Sequence, residues 1–202
     1  METLDAIRSR RSVHQFEERK IDNEKIGVLL EAIRWAPSAG NRQPWEVIVV
    51  DDRKKIEALG DIALEQQWLK KAPLVLVMCV NQKIAEGSFG VRGKNMYALQ
   101  STAAAVQNAM LAATDAGLAT CWVDVYDEQK ASEALRCPEH IMPIIALAVG
   151  YPERSAEPPL RHEITNFSWY NQHGKNLEFE WKGVSEHVKK FKEKLIKSLE
   201  RY

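Results

Sequence analysis

The stretch Leu74–Val80, LVLVMCV, is an unbroken apolar run. A strand with one wet face alternates polar and apolar side chains, so a run without polar interruption belongs to a strand buried on both faces. Such a strand needs a layer on each side of its sheet. The rest of the sequence supplies the material. EVIVV (46–50), LATCWVDVY (118–126) and MPIIALAVGY (142–151) read as further strands. Residues 2–11, 23–36, 53–66 and 94–116 read as helices. In the second of these, Ile26, Leu29, Leu30 and Ile33 recur at helical spacing, with Asn23 as the expected cap. The alanine-rich 94–116 segment suits a closely packed helix, and Gly117 is a good stop. These helices are enough to cover both faces of the sheet.

After Pro152 the texture changes. Residues 155–183 hold adjacent prolines and the aromatics Phe167, Trp169, Tyr170, Phe179 and Trp181. Val184, Val188, Phe191, Leu195 and Leu199 then recur at helical spacing among lysines and glutamates, which reads as a packed helix with a solvated face. An arm this apolar needs cover, and a second copy of the chain is the expected partner, giving a two-fold dimer.

Composition removes several function classes. The 28 basic and 28 acidic side chains cancel, so no nucleic-acid partner is expected. No stretch approaches the length of a membrane span, and METLDAIRSRRS lacks the apolar core of a secretory signal. Cys79, Cys121 and Cys137 form no CxxC and read as reduced thiols, so a cytoplasmic protein is expected. His14, His140, His162, His173 and His187 show no metal-ligand spacing, and no metal site is expected. There is no GxGxxG after a strand, no phosphate loop and no GxSxG elbow; GSFGVRG (87–93) reads as a mobile loop. A chain without a familiar catalytic side-chain set suits chemistry carried by a bound cofactor.

Two segments offer ligand groups. RSRRSVH places Arg8, Arg10 and Arg11 beside Ser12, with His14 beyond. Guanidinium forks match phosphate oxygens two bonds at a time, and the hydroxyl adds another; a solvated helix end is the competing reading. APSAGNRQPW (36–45) offers the polar groups of Ser38, Asn41 and Gln43 between Pro37 and Pro44. Ala39 and Gly40 permit close backbone approach. That set suits a planar heterocycle edged with carbonyl and N–H groups, or a plain Asx-type turn.

These two segments, in this order, resemble the nitroreductase family of FMN-dependent oxidoreductases. The resemblance continues in GLATCWVDVY (117–126), AVGYPE (148–153) and PPLRHE (158–163), and covers roughly residues 4–165. It implies an α+β fold: a three-layer α/β/α sandwich with a mixed, mostly antiparallel central sheet and a C-terminal arm exchanged in a homodimer. It also implies a domain over 1–165, with 166–202 as arm and helix of the same folded unit. FMN would lie at the subunit interface. By motif, Arg10 and Ser12 would contact its phosphate and ribityl chain, Arg11 would add contacts, and Arg161 would close on the phosphate. Pro37, Ser38, Ala39 and Asn41 would reach the flavin from the other subunit. Asp124 and Val125 fall where the family places a backbone N–H near flavin N5, so no side chain is assigned a catalytic role.

The sequence departs from the family in two places. His14 stands where lysine or arginine is usual, near the N1/O2 edge, where positive charge stabilises reduced flavin. Val125 stands where small residues are common, which narrows the space above N5. The implied activity takes hydride from NADH or NADPH and passes electrons by a ping-pong mechanism to a small planar acceptor: a nitroaromatic, quinone, enone or flavin. The alternatives are a relative performing dehalogenation or flavin fragmentation, and a non-enzymatic FMN storage or sensor protein. Trp35, Trp45, Trp68 and Trp122 are candidates to line or support the pocket, with core packing expected for each.

Overall fold

The apolar run becomes β2 (Leu74–Asn81), with every residue from Leu74 to Val80 buried. In this computed structural model the described residues are 1–63, 66–125 and 127–177. Strand β2 pairs with β1 (Trp45–Val50) on one side and β4 (Ile141–Gly150) on the other. Strand β3 (Ala119–Asp124) pairs with the far side of β4, giving the order β1-β2-β4-β3. All three ladders are antiparallel; the parallel contact is a single bridge between Ser12 and Thr120. The β2–β4 register slips between Met78 and Cys79, opposite Pro143. Proline has no N–H to give a ladder, so a bulge there leaves no donor stranded.

Side chains alternate across β2 and divide the core in two. Leu74, Leu76 and Met78 meet Leu29 and Ile33 of α2 (Asn23–Arg34) and Val106 and Ala109 of α5 (Ala98–Asp115). Val75, Val77 and Cys79 meet Ile56 and Leu59 of α3 (Arg53–Ile62) on the other face, where α6 (Glu128–Leu135) also packs. The result is the three-layer α/β/α sandwich that a doubly buried strand demands. Ala105, Ala109 and Ala113 have no exposed surface, which lets α5 lie close against the sheet. Truncating Leu76 to alanine would cost about 2–5 kcal/mol.

Several boundaries differ from the sequence expectation. Helix α1 is short, Thr3–Ser9, and α2 is preceded by Asp22 at its cap position, with no side-chain cap bond. In the stretch read as a loop, GSFGVRG, residues 87–92 instead lie in α4 (Gln82–Arg92). Asn81 starts that helix by accepting from the Ile84 N–H, and Phe89 and Gly90 kink it. One π turn, Gly93–Tyr97, then leads into α5. Helix α6 was not foreseen; Asp127 caps it by accepting from the Lys130 N–H at 3.0 Å, and left-handed Arg136 ends it. Gly117, with φ of 74°, stops α5 as expected. No described helix is long and apolar enough to cross a membrane.

The chain divides into the units Met1–Pro158 and Pro159–Tyr202. In the second unit a short 3-10 turn, Ile164–Asn166, precedes a ring contact between Trp169 and His173 at 5.1 Å. The expected amphipathic helix over 184–199, with Phe179 and Trp181, lies outside the described residues.

Candidate functional site

Helix α1 delivers the arginine-rich segment to the edge of the sheet. At its end Ser12 bridges Thr120, and Val13 donates its N–H to the Thr120 carbonyl at 3.1 Å. Phe16 and Val13 are buried and anchor the segment, and Glu17 donates its N–H to the Tyr151 carbonyl. Ser12 itself is exposed and lies near the Cys121 thiol. Burial pushes that thiol up to about 11, while the Ser12 hydroxyl and the charge of Arg10 pull the other way. Arg10 and Ser12 therefore share one small region. Arg11 is half-buried and turns Nη1 back onto the carbonyls of Arg8 and Arg10, so it closes the end of α1.

Beyond Ser12 the chain borders a cavity of about 580 Å³, lined in part by Ser12, His14, Gln67, Trp68, Lys71 and Arg154. The His14 and Trp68 rings stack, with centroids 4.3 Å apart and planes 24° from parallel. Gln67, Lys71 and Arg154 were not picked out from the sequence. Arg154 lies just past the AVGYPE motif.

Strand β3 places the next group. Val125 donates its N–H to the Ile144 carbonyl at 3.0 Å, which points that group into the sheet. Antiparallel pairing alternates, so the N–H of Asp124 points the other way, to the edge where Thr120 receives Val13. Of the two positions, Asp124 is the one with an outward amide. Its carboxylate accepts the Trp122 indole N–H at 2.8 Å. Val125 is buried. Thr120 and Asp124 stand about 13 Å apart along that edge.

The 37–43 turn is built differently. Gly40, Asn41 and Gln43 all have positive φ, at 54°, 55° and 48°. Left-handed asparagine and glutamine are costly, so the turn needs outside support. Ser38 accepts the Gln43 N–H at 3.0 Å, Gln43 Nε2 donates to Asn41 Oδ1 at 3.1 Å, and Ala39 donates its N–H to Ser101. Arg42 reaches Ser88 of α4. Pro37 and Asn41 are exposed, while Ser38 and Ala39 are half-buried.

Register shows where the turn lies. It leads into Trp45, opposite Val80, which in turn faces Met142. Ser12 lies beside Thr120, opposite Val149, which faces Leu74. The turn and the arginine segment thus occupy opposite ends of the sheet and opposite edges. The offset is about 20 Å along the strands and about 19 Å across them. Arg161 belongs to the second unit, where it is exposed and its Nη1 donates to the Leu160 carbonyl.

The tryptophans divide. Trp45 and Trp122 pack partly against the α2/α5 core and Trp68 against the opposite core. Trp35 corrects the core expectation: it is 73% exposed, with its indole N–H donated to Glu31 at 2.7 Å.

Comparison with known proteins places this geometry in context. The model of the nitroreductase family matches residues 7–151. A protein of Archaeoglobus fulgidus named for NADH dehydrogenase/NAD(P)H nitroreductase is 34% identical over 156 residues, covering 75% of this chain and 86% of the relative. An FMN reductase [NAD(P)H] of Bacillus subtilis is 28% identical over 180 residues, covering 82% of this chain and 72% of that one. The crystal structure of a Parabacteroides distasonis protein, also named for NADH dehydrogenase/NAD(P)H nitroreductase, superposes with a TM-score of 0.77 at 31% identity. That match covers 85% of this chain and 99% of the other.

Proposed function

The chain belongs to the nitroreductase family, and on that premise we propose that it is an FMN-dependent NAD(P)H oxidoreductase whose site is completed by a second copy. The observation that carries this reading is the outward edge of β3. Along it, the Arg10–Ser12 segment is fixed at one point and the Asp124 N–H at another. A guanidinium and a hydroxyl suit a phosphate, and an outward amide suits a ring nitrogen, so the donor set fits riboflavin phosphate.

When bound, FMN would supply the redox chemistry between NADH or NADPH and a planar acceptor. The chain's own residues hold and bias it. Arg10 and Ser12 would bind the phosphate and ribityl end. Asp124 would offer its backbone N–H to the flavin ring. His14 would stand at the ring's edge, and Lys71 and Arg154 line the same cavity as His14. Pro37, Ser38, Ala39 and Asn41 lie too far from Ser12 for one flavin to touch both in one chain. The partner's turn therefore supplies those contacts in a homodimer, and the C-terminal arm is exchanged across it. With a single face for donor and acceptor, kinetics are ping-pong.

The test is the absorption spectrum of the purified protein supplied with FMN, followed by anaerobic NADH or NADPH. Flavin bands that bleach with either donor, and return intact when a quinone is added, support the reading. Bands that do not bleach would make the protein a flavin carrier. Bands that fail to return after reoxidation would favour flavin fragmentation.

A further inference from the structure

We propose that Trp68 is a positioning residue for the His14 imidazole, so that the two rings act on a bound ligand as one unit. The proposal rests on the reading that the Ser12–His14 segment binds FMN. Among the described residues, His14 makes no hydrogen bond and no ion pair, and its ring contact is the stack on Trp68 at 4.3 Å. An exposed imidazole on an extended segment otherwise samples several rotamers. The stack selects one and leaves the opposite ring face toward the cavity.

Trp68 is suited to that task because it is itself held. It lies in the turn that follows α3 and packs partly against the core cluster of Leu69, Val75 and Val77. The next residues form a 3-10 turn, Leu69–Lys71, with Leu69 fully buried. Lys70 adds an ion pair to Asp61 of α3. On the other side, Val13 and Phe16 pin the segment that carries His14. Both partners therefore enter from anchored backbone, and little freedom remains except at the imidazole. Gln67, Lys71, Glu153 and Arg154 share the cavity, so the placement of the imidazole decides how it sits among these polar groups. Trp68 needs no contact with the ligand.

A double-mutant cycle on FMN affinity tests the coupling. Trp68→Leu is expected to weaken FMN binding by about two- to tenfold, the range for a lost aromatic pair. Trp68→Phe, which keeps a platform, is expected to stay near wild type. On a His14→Ala background, Trp68→Leu is expected to change nothing further. Full additivity, or no effect of Trp68→Leu, would overturn the proposal. Ligand-free protein gives a second readout. The His14 ring protons, assigned by difference from His14→Gln, should be displaced by the indole ring current in wild type. Absence of that displacement also overturns the proposal, even if leucine at 68 fails to fold. If wild type takes up no FMN, the functional reading fails while the proton shifts still test the stack.

Discussion

Val13 donates its backbone N–H to Thr120 on the side of β3 that faces away from β4. This one bond fixes the arginine segment to the sheet edge and sets which residues share that edge with it. Arg10 and Ser12 come with it on one side, and the Asp124 amide lies four residues along the strand.

On the proposed reading, Arg10 supplies the charge for the FMN phosphate. Charge-assisted bonds contribute about 1.5–3 kcal/mol, so Arg10→Ala should raise the Kd for FMN by about 10- to 100-fold. Quenching of flavin fluorescence measures this directly. The same variant should bind riboflavin, which lacks the phosphate, as well as wild type does. Equal losses for both ligands would place Arg10 elsewhere.

His14 stands where the resemblance leads one to expect lysine or arginine. A fixed positive charge beside the ring stabilises reduced flavin, so His14→Arg should raise the midpoint potential of bound FMN above that of wild type. Anaerobic redox titration of the two proteins measures this. Equal potentials would remove His14 from the flavin edge.

Gly40 combines φ of 54° with a side-chain position 2.9 Å from Cζ of Phe89. Gly40→Ala should therefore destabilise the turn by about 1 kcal/mol or more. Urea unfolding gives the stability change, and FMN titration shows whether the turn's shape matters to binding. Adding Phe89→Ala should recover the steric part but not the part due to φ.

The thiols make an alkaline prediction. Burial raises Cys79 far above its ordinary value, aided by the adjacent Cys137 thiol, raises Cys121 to about 11, and also raises Cys137. A thiol raised in the folded state favours folding below its unfolded value, about 8.5, and that contribution fades as pH climbs through the folded value. Stability should thus decline from about pH 8.5 upward. At pH 8 a thiol reagent should modify half-buried Cys137 first, with Cys79 and Cys121 reacting only on denaturation. Rapid native labelling of Cys121 would contradict its burial.

Much of this architecture is legible in the residues themselves. The run at 74–80 demands two covering layers, and the alanines of α5 announce close packing. What escaped the sequence depends on local chemistry that periodicity does not report. Helix α4 hides behind the glycines of GSFGVRG because its start comes from the Asn81 side chain. Helix α6 is a short segment set by the Asp127 cap. The site shows the same division. Arg10, Ser12 and the 37–41 turn stand out as motifs, whereas Gln67, Lys71 and Arg154 join the cavity only when strands and turns bring them there. The outward direction of the Asp124 amide follows from ladder register, which residue identity alone does not reveal.

Because Ser12 and the 37–41 turn sit at opposite corners of one sheet, each flavin site should draw on two chains. The direct measurement mixes two variants weakened in FMN binding, Arg10→Ala and Asn41→Ala, by unfolding and refolding them together, then counts tight FMN sites. In a mixed dimer one site carries both lesions and the other carries neither, so tight binding, and NAD(P)H oxidation at FMN concentrations that leave each variant alone largely empty, should reappear in the mixture. No recovery, with mixed dimers shown to form, would mean that both groups serve a site within one chain.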